Sequence, residues 1–260
     1  MELTWWGTAN FRIDAGGETI LIDPYLSRNP RARPAIAFTP EAVARADRIL
    51  LTHGHFDHIM DVPAIAARTR ARVYADPVAG ATLVNNGLDP TRLETVAHDG
   101  QAFEFGAVKA QANFSRHVVF DTRLLLTTLA KINLRLFEMT KYLRDYPCGQ
   151  VLSWRIEAEG MSVHHFGSAG STPEELTRLA ARPTDVLLVP LQGHTRICEI
   201  ALKYVAALAP RLVIPHHQDD FFPPISRQVD IGAFVRGVAQ RCPGTRLQVP
   251  APGERCPLGF

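Results

Sequence analysis

Residues 48–58 read RILLTHGHFDH, a short apolar run followed by three histidines and an aspartate. Residues 48–51 predict a buried strand, and residues 62–70 show the Ala and Ile spacing of a helix. The polar segment between them is therefore expected on a loop that joins a strand to a helix. Such loops often carry functional side chains, because the rigid elements on either side hold them in place.

The histidines and the aspartate have the spacing of metal ligands. On an extended segment His53 and His55 point to the same side and can reach one ion. After the chain turns, Asp57 and His58 can reach an adjacent position, so the sequence predicts two half-sites. Imidazoles with one carboxylate suit Zn²⁺ and also accept Mn²⁺ or Fe²⁺, whereas Mg²⁺ and Ca²⁺ prefer oxygen ligands. We expect zinc.

The composition is that of an ordinary folded chain of 260 residues, with 46% apolar and 21% charged residues. A net charge of +2 gives no basic surface that would favour nucleic acid or a membrane. The longest stretch without a charged side chain, residues 160–173, is too short for a transmembrane helix. Because the N-terminus lacks a leader pattern and the four cysteines lie far apart, we expect a cytoplasmic protein with reduced thiols.

Strands and helices alternate along the chain. Short strands are predicted near the N-terminus, separated by turn residues, at residues 3–6, 11–14 and 19–22. A proline after Thr39 predicts a short helix over residues 39–46, and a capping box of Thr172 and Glu175 predicts the start of another. Residues 197–208 predict a further helix. This alternation is typical of the mixed α/β or α+β class.

One segment departs from that alternation. Between residues 121 and 144 apolar side chains recur at alternating spacings of four and three, which predicts a long amphipathic helix or two shorter ones. Such a helix could pack on the core, cover a pocket as a lid, form a dimer interface or contact a membrane surface. Homo-oligomerisation through this segment is therefore one of several alternatives.

The histidine motif resembles that of the metallo-β-lactamase superfamily, whose members carry H-x-H-x-D-H after a buried strand and collect further ligands from later loops. The resemblance covers nearly the whole chain. Within the superfamily, the chain most resembles the branch of hydrolases similar to ascorbate-6-phosphate lactonase and N-acyl-phosphatidylethanolamine phospholipase D. It implies an α/β (α+β) fold, a four-layer αββα sandwich of two mixed β-sheets with outer helices. Ligands would come from both ends of the chain, which implies a single domain over residues 1–260 with residues 118–147 as a helical insertion.

The resemblance also implies further site residues. Asp23, in the sequence Leu-Ile-Asp-Pro, matches an acid that supports the metal site from beneath. His117 matches a lone ligand at a strand end, and His217, in Val-Ile-Pro-His-His, matches the last ligand, with His216 as the alternative. A strand and a glycine turn precede His194 and are expected to carry it toward the metal site. There it is a candidate to contact the substrate or to protonate the leaving group.

The chain departs from the family at the bridging ligand. Where the family has Gly-Asp at a strand end, with the aspartate between two metals, this chain has Gly167 and Ser168. Two dications about 3.5 Å apart repel by on the order of 20 kcal/mol at an effective dielectric of 20. Because the hydroxyl of Ser168 offsets little of this repulsion, we expect one bound zinc ion. Whether a second ion binds is not decided by the sequence. Asp219 or Asp220 could supply the missing carboxylate.

The ligand types imply metal-dependent hydrolysis of a small-molecule substrate. A metal held by three protein ligands lowers the pKa of its bound water to about 7, which makes hydroxide available. We expect this metal-bound hydroxide to attack a small ester, lactone or phosphodiester, with Asp57 orienting it or binding the second ion. The alternative is a degenerate, non-enzymatic member whose insertion at residues 118–147 binds a partner or a membrane surface.

Overall fold

The structure, a computed structural model, describes residues 1–129, 141–142 and 144–258. Its centre is a pair of seven-stranded β-sheets. The strands of the first sheet, in order across it, are β14 (Arg255–Cys256), β1 (Glu2–Trp5), β2 (Phe11–Ala15), β3 (Glu18–Ile22), β4 (Arg48–Leu50), β5 (Arg72–Ala75) and β6 (Leu93–Thr95). Those of the second are β13 (Arg246–Leu247), β12 (Leu212–His216), β11 (Val186–Pro190), β10 (Met161–Phe166), β9 (Leu152–Ala158), β8 (Val108–Phe114) and β7 (Gln101–Phe105).

Each sheet has an antiparallel half and a parallel half. In the first sheet β14, β1, β2 and β3 pair antiparallel, and β3, β4, β5 and β6 pair parallel. In the second sheet β7 to β10 pair antiparallel, and β10 to β13 pair parallel. The prediction of two mixed β-sheets is confirmed.

The main core lies between the two sheets. Phe11 and Ile13 of β2 and Trp154 and Ile156 of β9 are all fully buried in it. The indole Nε1 of Trp154 donates a hydrogen bond of 2.8 Å to the carbonyl oxygen of Leu51. This bond ties the second sheet to the end of β4, immediately before the segment that carries the histidine motif.

Helices cover the outer face of each sheet. In chain order, the α-helices whose bounds the described residues give are α1 (Phe56–Ile59), α2 (Val62–Thr69), α3 (Pro77–Asn85), α4 (Thr122–Leu129), α5 (Pro173–Ala180), α6 (Ile197–Leu208) and α7 (Gly232–Arg241), and of these α2, α3, α6 and α7 carry the packing described next. Buried side chains of α2 and α3, including Ile65 and Leu83, pack with Ile49 against the first sheet. Val205 of α6 and Phe234 of α7 pack in the cluster on the second. The predicted αββα layering is confirmed.

The prediction of a short helix over residues 39–46 is wrong. Only a single 3₁₀ turn forms there, Pro40–Ala42. Thr39 makes no side-chain capping bond, and Val43 leaves the helical region at φ −71° and ψ 98°. The proline favours one turn, but without a cap the turn is not extended.

The helix start predicted from Thr172 is present, with half of the capping box. The Thr172 hydroxyl accepts a hydrogen bond of 3.2 Å from the backbone N–H of Glu175. The carboxylate of Glu175 accepts instead from the hydroxyl of Ser171, at 2.9 Å. Residues 197–208 form α6 as predicted.

The predicted insertion begins with α4. Residues 130–140 and 143 lie outside the described residues, and half of the predicted long amphipathic helix, residues 121–144, falls on them. That residues 1–260 form one domain, with residues 118–147 as an insertion of unknown role, stays a prediction. Among the described residues, no helix has the length and apolar character needed to cross a membrane.

Candidate metal centre

Strand ends of both sheets supply the candidate site. His53 follows β4, His117 follows β8 and His217 follows β12. Their side chains meet at one mouth, because the strands point their carboxyl ends toward it. This edge is where sheets with parallel strands commonly bind ligands.

Residues 52–58 turn from an extended segment into a helix. His53 and His55 lie on the extended part with ring centroids 4.7 Å apart, and α1 begins directly afterwards. Asp57 and His58 lie in its first turn. Two groups of potential ligands result, each with atoms within 4.8 Å of one another: the first ligand group of His53, His55 and His117, and the second ligand group of Asp57, His58 and His217.

Asp23 supports both ligand groups from below. Its Oδ2 lies 2.8 Å from Nδ1 of His58 and accepts a hydrogen bond of 2.5 Å from the hydroxyl of Thr52. Because that hydroxyl proton is used, the Thr52 oxygen accepts from Nδ1 of His53, 3.0 Å away. Nδ1 of each imidazole therefore carries the proton, and Nε2 keeps a free lone pair on the side of the site.

His117 is oriented in the same way by the backbone. Its Nδ1 lies 2.8 Å from the carbonyl oxygen of Val118, which can only accept, so Nδ1 carries the proton. The lone pair on Nε2 again remains available. Within the first ligand group, His53 Nε2 lies 3.1 Å from His55 Nδ1, so two ring nitrogens face each other across a gap suited to a shared ion.

Burial keeps the first ligand group uncharged. Burial, followed by the neighbouring imidazoles of His58 and His55, lowers the pKa of His53 well below its ordinary value. Burial also lowers the pKa of His55 to about 4 and lowers that of His117. Neutral imidazoles are the form that binds metal, so this group is ready to accept a cation at neutral pH.

The second ligand group carries the negative charge. Burial would raise the pKa of Asp57, but the imidazoles of His58 and His217 outweigh it and hold the pKa below its usual range. Burial likewise opposes the charged form of His58, yet the carboxylates of Asp23 and Asp57 together raise its pKa. Asp57 is thus an ionised carboxylate beside the imidazoles of His58 and His217.

The structure separates the two neighbouring histidines at the end of β12. His217 has a left-handed backbone, at φ 59°, and its Nε2 lies 3.3 Å from Asp57 Oδ2. His216 turns the other way, is fully buried, and stacks on His165 with ring centroids 4.8 Å apart. Of the two alternatives, His217 is the one in the second ligand group.

Ser168 lies at the cavity but its hydroxyl also holds the backbone. Its Oγ accepts a hydrogen bond of 2.9 Å from the N–H of Val118, next to His117. Asp219, suggested as a substitute carboxylate, accepts instead from Arg28 Nη2 at 2.6 Å and from the N–H of Thr8 at 3.0 Å. It is therefore held away from the ligand groups by two other partners.

His194 lies beside the insertion rather than among the residues described as lining the ligand cavity. Its Nδ1 accepts from the N–H of Arg196 at 2.9 Å and lies 3.2 Å from Asp121 Oδ2. Asp121 also accepts from the N–H of Thr195 at 2.7 Å. The role of His194 toward substrate stays a prediction.

A cavity of about 320 Å³ opens above both ligand groups. Its walls include Phe56, Tyr142 and Phe222, which the sequence analysis did not single out. The hydrogen bonds that link Asp23 to His53 through the hydroxyl of Thr52, here called the Thr52 relay, were not predicted either. A threonine between a buried strand and the first histidine could have indicated them. No sequence pattern indicated the aromatic wall formed by Phe56, Tyr142 and Phe222, because these residues lie far apart in the chain.

The chain is similar in sequence to known metal-dependent hydrolases. The sequence profile of the β-lactamase superfamily domain matches residues 2–217. A UPF0173 metal-dependent hydrolase of Aeropyrum pernix is 30% identical over 260 residues, which cover 100% of this chain and 98% of that protein. A UPF0173 metal-dependent hydrolase of Carboxydothermus hydrogenoformans is 30% identical over 257 residues and covers 98% of each chain.

Solved structures share the fold. Igni18, a metallo hydrolase from Ignicoccus hospitalis, superimposes with a TM-score of 0.72 at 23% identity, over 98% of this chain and 97% of that one. An isothiocyanate hydrolase from Delia radicum gut bacteria gives a TM-score of 0.67 at 16% identity, over 99% and 98%. The superfamily expected from the histidine motif is confirmed. Because the family profile and these relatives span most of the sequence, the chain belongs to the β-lactamase superfamily and is a metal-dependent hydrolase of the UPF0173 family.

Proposed function

We propose that this hydrolase binds zinc through its two ligand groups and cleaves a small ester, lactone or phosphodiester. One observation carries the proposal: two sets of three ligand atoms, each set within 4.8 Å, lie side by side under one cavity. The net charge of +2 gives no support to a nucleic-acid substrate.

The donor set fits zinc. Five of the six ligands are imidazoles and one is a carboxylate, which is the nitrogen-rich environment that zinc accepts. Nδ1 of His217 is buried without a hydrogen-bond partner among the described residues, so this ring is not fully satisfied by the protein. A zinc ion bound here would act as a Lewis acid on a carbonyl or phosphoryl oxygen and would make water easier to deprotonate.

The protein's own residues supply orientation and charge. Asp57, ionised and largely buried, can accept a hydrogen bond from the attacking water and so fix its position. Asp23 and Thr52 hold one ring of each ligand group in the tautomer that offers Nε2. Residues of the cavity wall restrict bulk water around the scissile bond.

The two groups are expected to bind metal unequally. Asp57 is the only carboxylate among the six ligands, and Ser168 adds no negative charge between the groups. We propose one tightly bound zinc ion and a second that binds weakly.

Metal content and turnover test this function together. Protein purified without chelator should contain at least about one zinc per chain and hydrolyse a member of a panel of esters, lactones and phosphodiesters. Removal of the metal should abolish turnover, and zinc should restore it. His117→Ala should lose both properties, whereas His98→Ala, an exposed turn residue, is the matched control. Full turnover by the metal-free protein would contradict the proposal.

A further inference from the structure

The cavity above the ligand groups is walled by aromatic rings. Phe56 packs on Tyr142 with centroids 4.7 Å apart and on Phe222 at 4.9 Å. Tyr142 and Phe222 are themselves 5.4 Å apart, so the three rings form one continuous wall. This wall joins α1, the far end of the insertion and the segment after β12.

Aromatic rings also border each ligand group. Phe120 lies 5.6 Å from the ring of His117, a member of the first ligand group. Phe221 lies 4.9 Å from the ring of His217, a member of the second. A substrate that reaches the ligands from the cavity therefore passes between apolar surfaces on both sides.

The side chains of Val118 and Phe120 lie close against the backbone of Gly193. A Cβ on Gly193, which has φ +94°, would lie 2.6 Å from Val118 Cγ1 and 3.2 Å from a ring atom of Phe120. Only glycine leaves room for the segment that carries Phe120 to cross here. The ring is 45% exposed, so part of its apolar surface is accessible to a molecule in the cavity.

The cavity offers little to a negatively charged substrate. Among the described lining residues, Arg227 is the single Lys or Arg, and it is exposed. A negatively charged group bound against these apolar walls, away from the ligand groups, would lose hydration that few side chains replace. The volume of about 320 Å³ lies near the lower end of ligand pockets, which commonly span roughly 300–1,000 Å³.

We propose that the substrate is a carboxylic ester or lactone with an uncharged, apolar acyl or aryl group, and that this group packs between Phe120 and the aromatic wall. The inference rests on the proposed hydrolase function and narrows its substrate class. In the reaction, the oxygen of water forms a bond to the carbonyl carbon and the bond from that carbon to the alkoxy oxygen breaks. The alkoxy oxygen takes one proton of the water. The products are a carboxylic acid and an alcohol from an ester, and a single hydroxy acid from a lactone.

The first test is a chain-length series with the zinc-loaded protein. We expect kcat/KM for p-nitrophenyl esters to rise from acetate through butyrate to hexanoate, by up to about fourfold for each added methylene. Bis(p-nitrophenyl) phosphate should be a poorer substrate than the hexanoate. Equal values along the series, or a preference for the phosphodiester, would overturn the inference.

Two variants assign the effect to this cavity. Phe120→Ala should reduce the ratio of hexanoate to acetate turnover by about threefold or more, and Phe120→Asp should reduce it further. Val119→Ala is the matched control, because Val119 is the adjacent residue, is 80% exposed and is not among the residues that line the cavity. A ratio that falls equally in all three variants would contradict the assignment.

A binding measurement separates this inference from the proposed hydrolysis. The uncharged fluorophore N-phenyl-1-naphthylamine should bind the chelator-treated protein, and Phe120→Asp should weaken its binding while Val119→Ala should not. If the dye follows this pattern but no ester is cleaved, the hydrolytic proposal is wrong and the apolar pocket stands. If esters are cleaved without dependence on chain length, and the dye binds all variants alike or none, the apolar substrate class is wrong and hydrolysis stands.

Discussion

Oδ2 of Asp23 lies 2.8 Å from Nδ1 of His58, and both side chains are buried beneath the candidate metal centre. The same oxygen accepts from the hydroxyl of Thr52, whose oxygen in turn lies 3.0 Å from Nδ1 of His53. One carboxylate thus orients an imidazole in each ligand group. Asp23 couples the two halves of the site without being a ligand itself.

Replacing Asp23 tests this coupling. In Asp23→Asn the charge that raises the pKa of His58 is removed, and we expect zinc affinity to fall by about 10- to 100-fold. Competition with a chromogenic chelator measures the change. Asp14→Asn is the control, since Asp14 pairs with Arg12 of the same strand, β2, and belongs to neither ligand group. Unchanged affinity in Asp23→Asn would show that the rings are oriented by other contacts.

Thr52 provides a second test, at the relay itself. Thr52→Val keeps the shape of the side chain but leaves Asp23 without one of its donors, at a cost of about 1–3 kcal/mol in the free energy of unfolding. Thr52→Ser keeps the hydroxyl and should retain zinc affinity close to that of the parent. Urea unfolding and zinc titration measure the two effects. Equal zinc affinities for the Val and Ser variants would exclude a relay through this hydroxyl.

The ligands differ in how far the sequence could predict them. The four within residues 53–58 follow from spacing alone, because an extended segment and the first helical turn after it set their directions. His117 and His217 lie some 60 and 160 residues further along, and only resemblance to a family indicated them. The sheet topology that brings them together is not encoded in any local pattern.

Short sequence patterns did not predict every local structure, and the reasons are physical. Pro40 suggested a helix, but a proline favours only the first turn, and continuation depends on capping and on packing that the sequence does not display. Buried polar relays such as Thr52 to Asp23 depend on two strands that pair in parallel, β3 and β4. The alternation of strands and helices was predictable because hydrophobic periodicity and turn residues recur along the chain, whereas the two sheets and their layering were expected only from the family resemblance.

Gly54 separates the first two histidines and is required by packing. A Cβ at this position would collide with the carbonyl oxygen of Pro147, and the Gly54 N–H donates to the carbonyl oxygen of Cys148 at 2.8 Å. We expect Gly54→Ala to lower the free energy of unfolding by about 1–3 kcal/mol and to weaken zinc binding, because the histidine segment must move. Gly244→Ala, where a Cβ meets open space, should change stability by less than about 0.5 kcal/mol. Similar stability for both variants would contradict this packing argument.

We propose that the residue at position 168 controls how much negative charge the second metal ion meets, because Ser168 lines the same cavity as both ligand groups. In Ser168→Asp the added carboxylate should raise zinc stoichiometry toward two per chain, because it offsets part of the repulsion between two dications. Ser168→Asn is the matched control, since an amide can accept the hydrogen bond from the N–H of Val118 but carries no charge. Metal analysis after dialysis against submicromolar zinc measures the ratio. If the Asp and Asn variants hold equal amounts of zinc, charge at this position does not control the second ion.

Asp121, near the start of the insertion, accepts hydrogen bonds from Thr195, and this contact depends on pH. Hydrogen bonds from the N–H groups of Thr195 and Leu124 hold the pKa of Asp121 below the ordinary value of 3.8, so the ionised form is favoured in the folded state. The contact is therefore fully formed above about pH 3.8 and weakens as the pH falls through the lower folded value.

Asp121→Asn removes the charge at neutral pH, and we expect faster amide hydrogen exchange at Thr195 and across residues 122–129. Asp145→Asn, which alters an exposed pair with Arg144 at the other end of the insertion, should leave those rates unchanged. Because zinc loss at low pH would confuse the comparison, both variants are measured at pH 7 with the metal bound. Equal exchange in the two variants would mean that Asp121 does not hold the insertion in place.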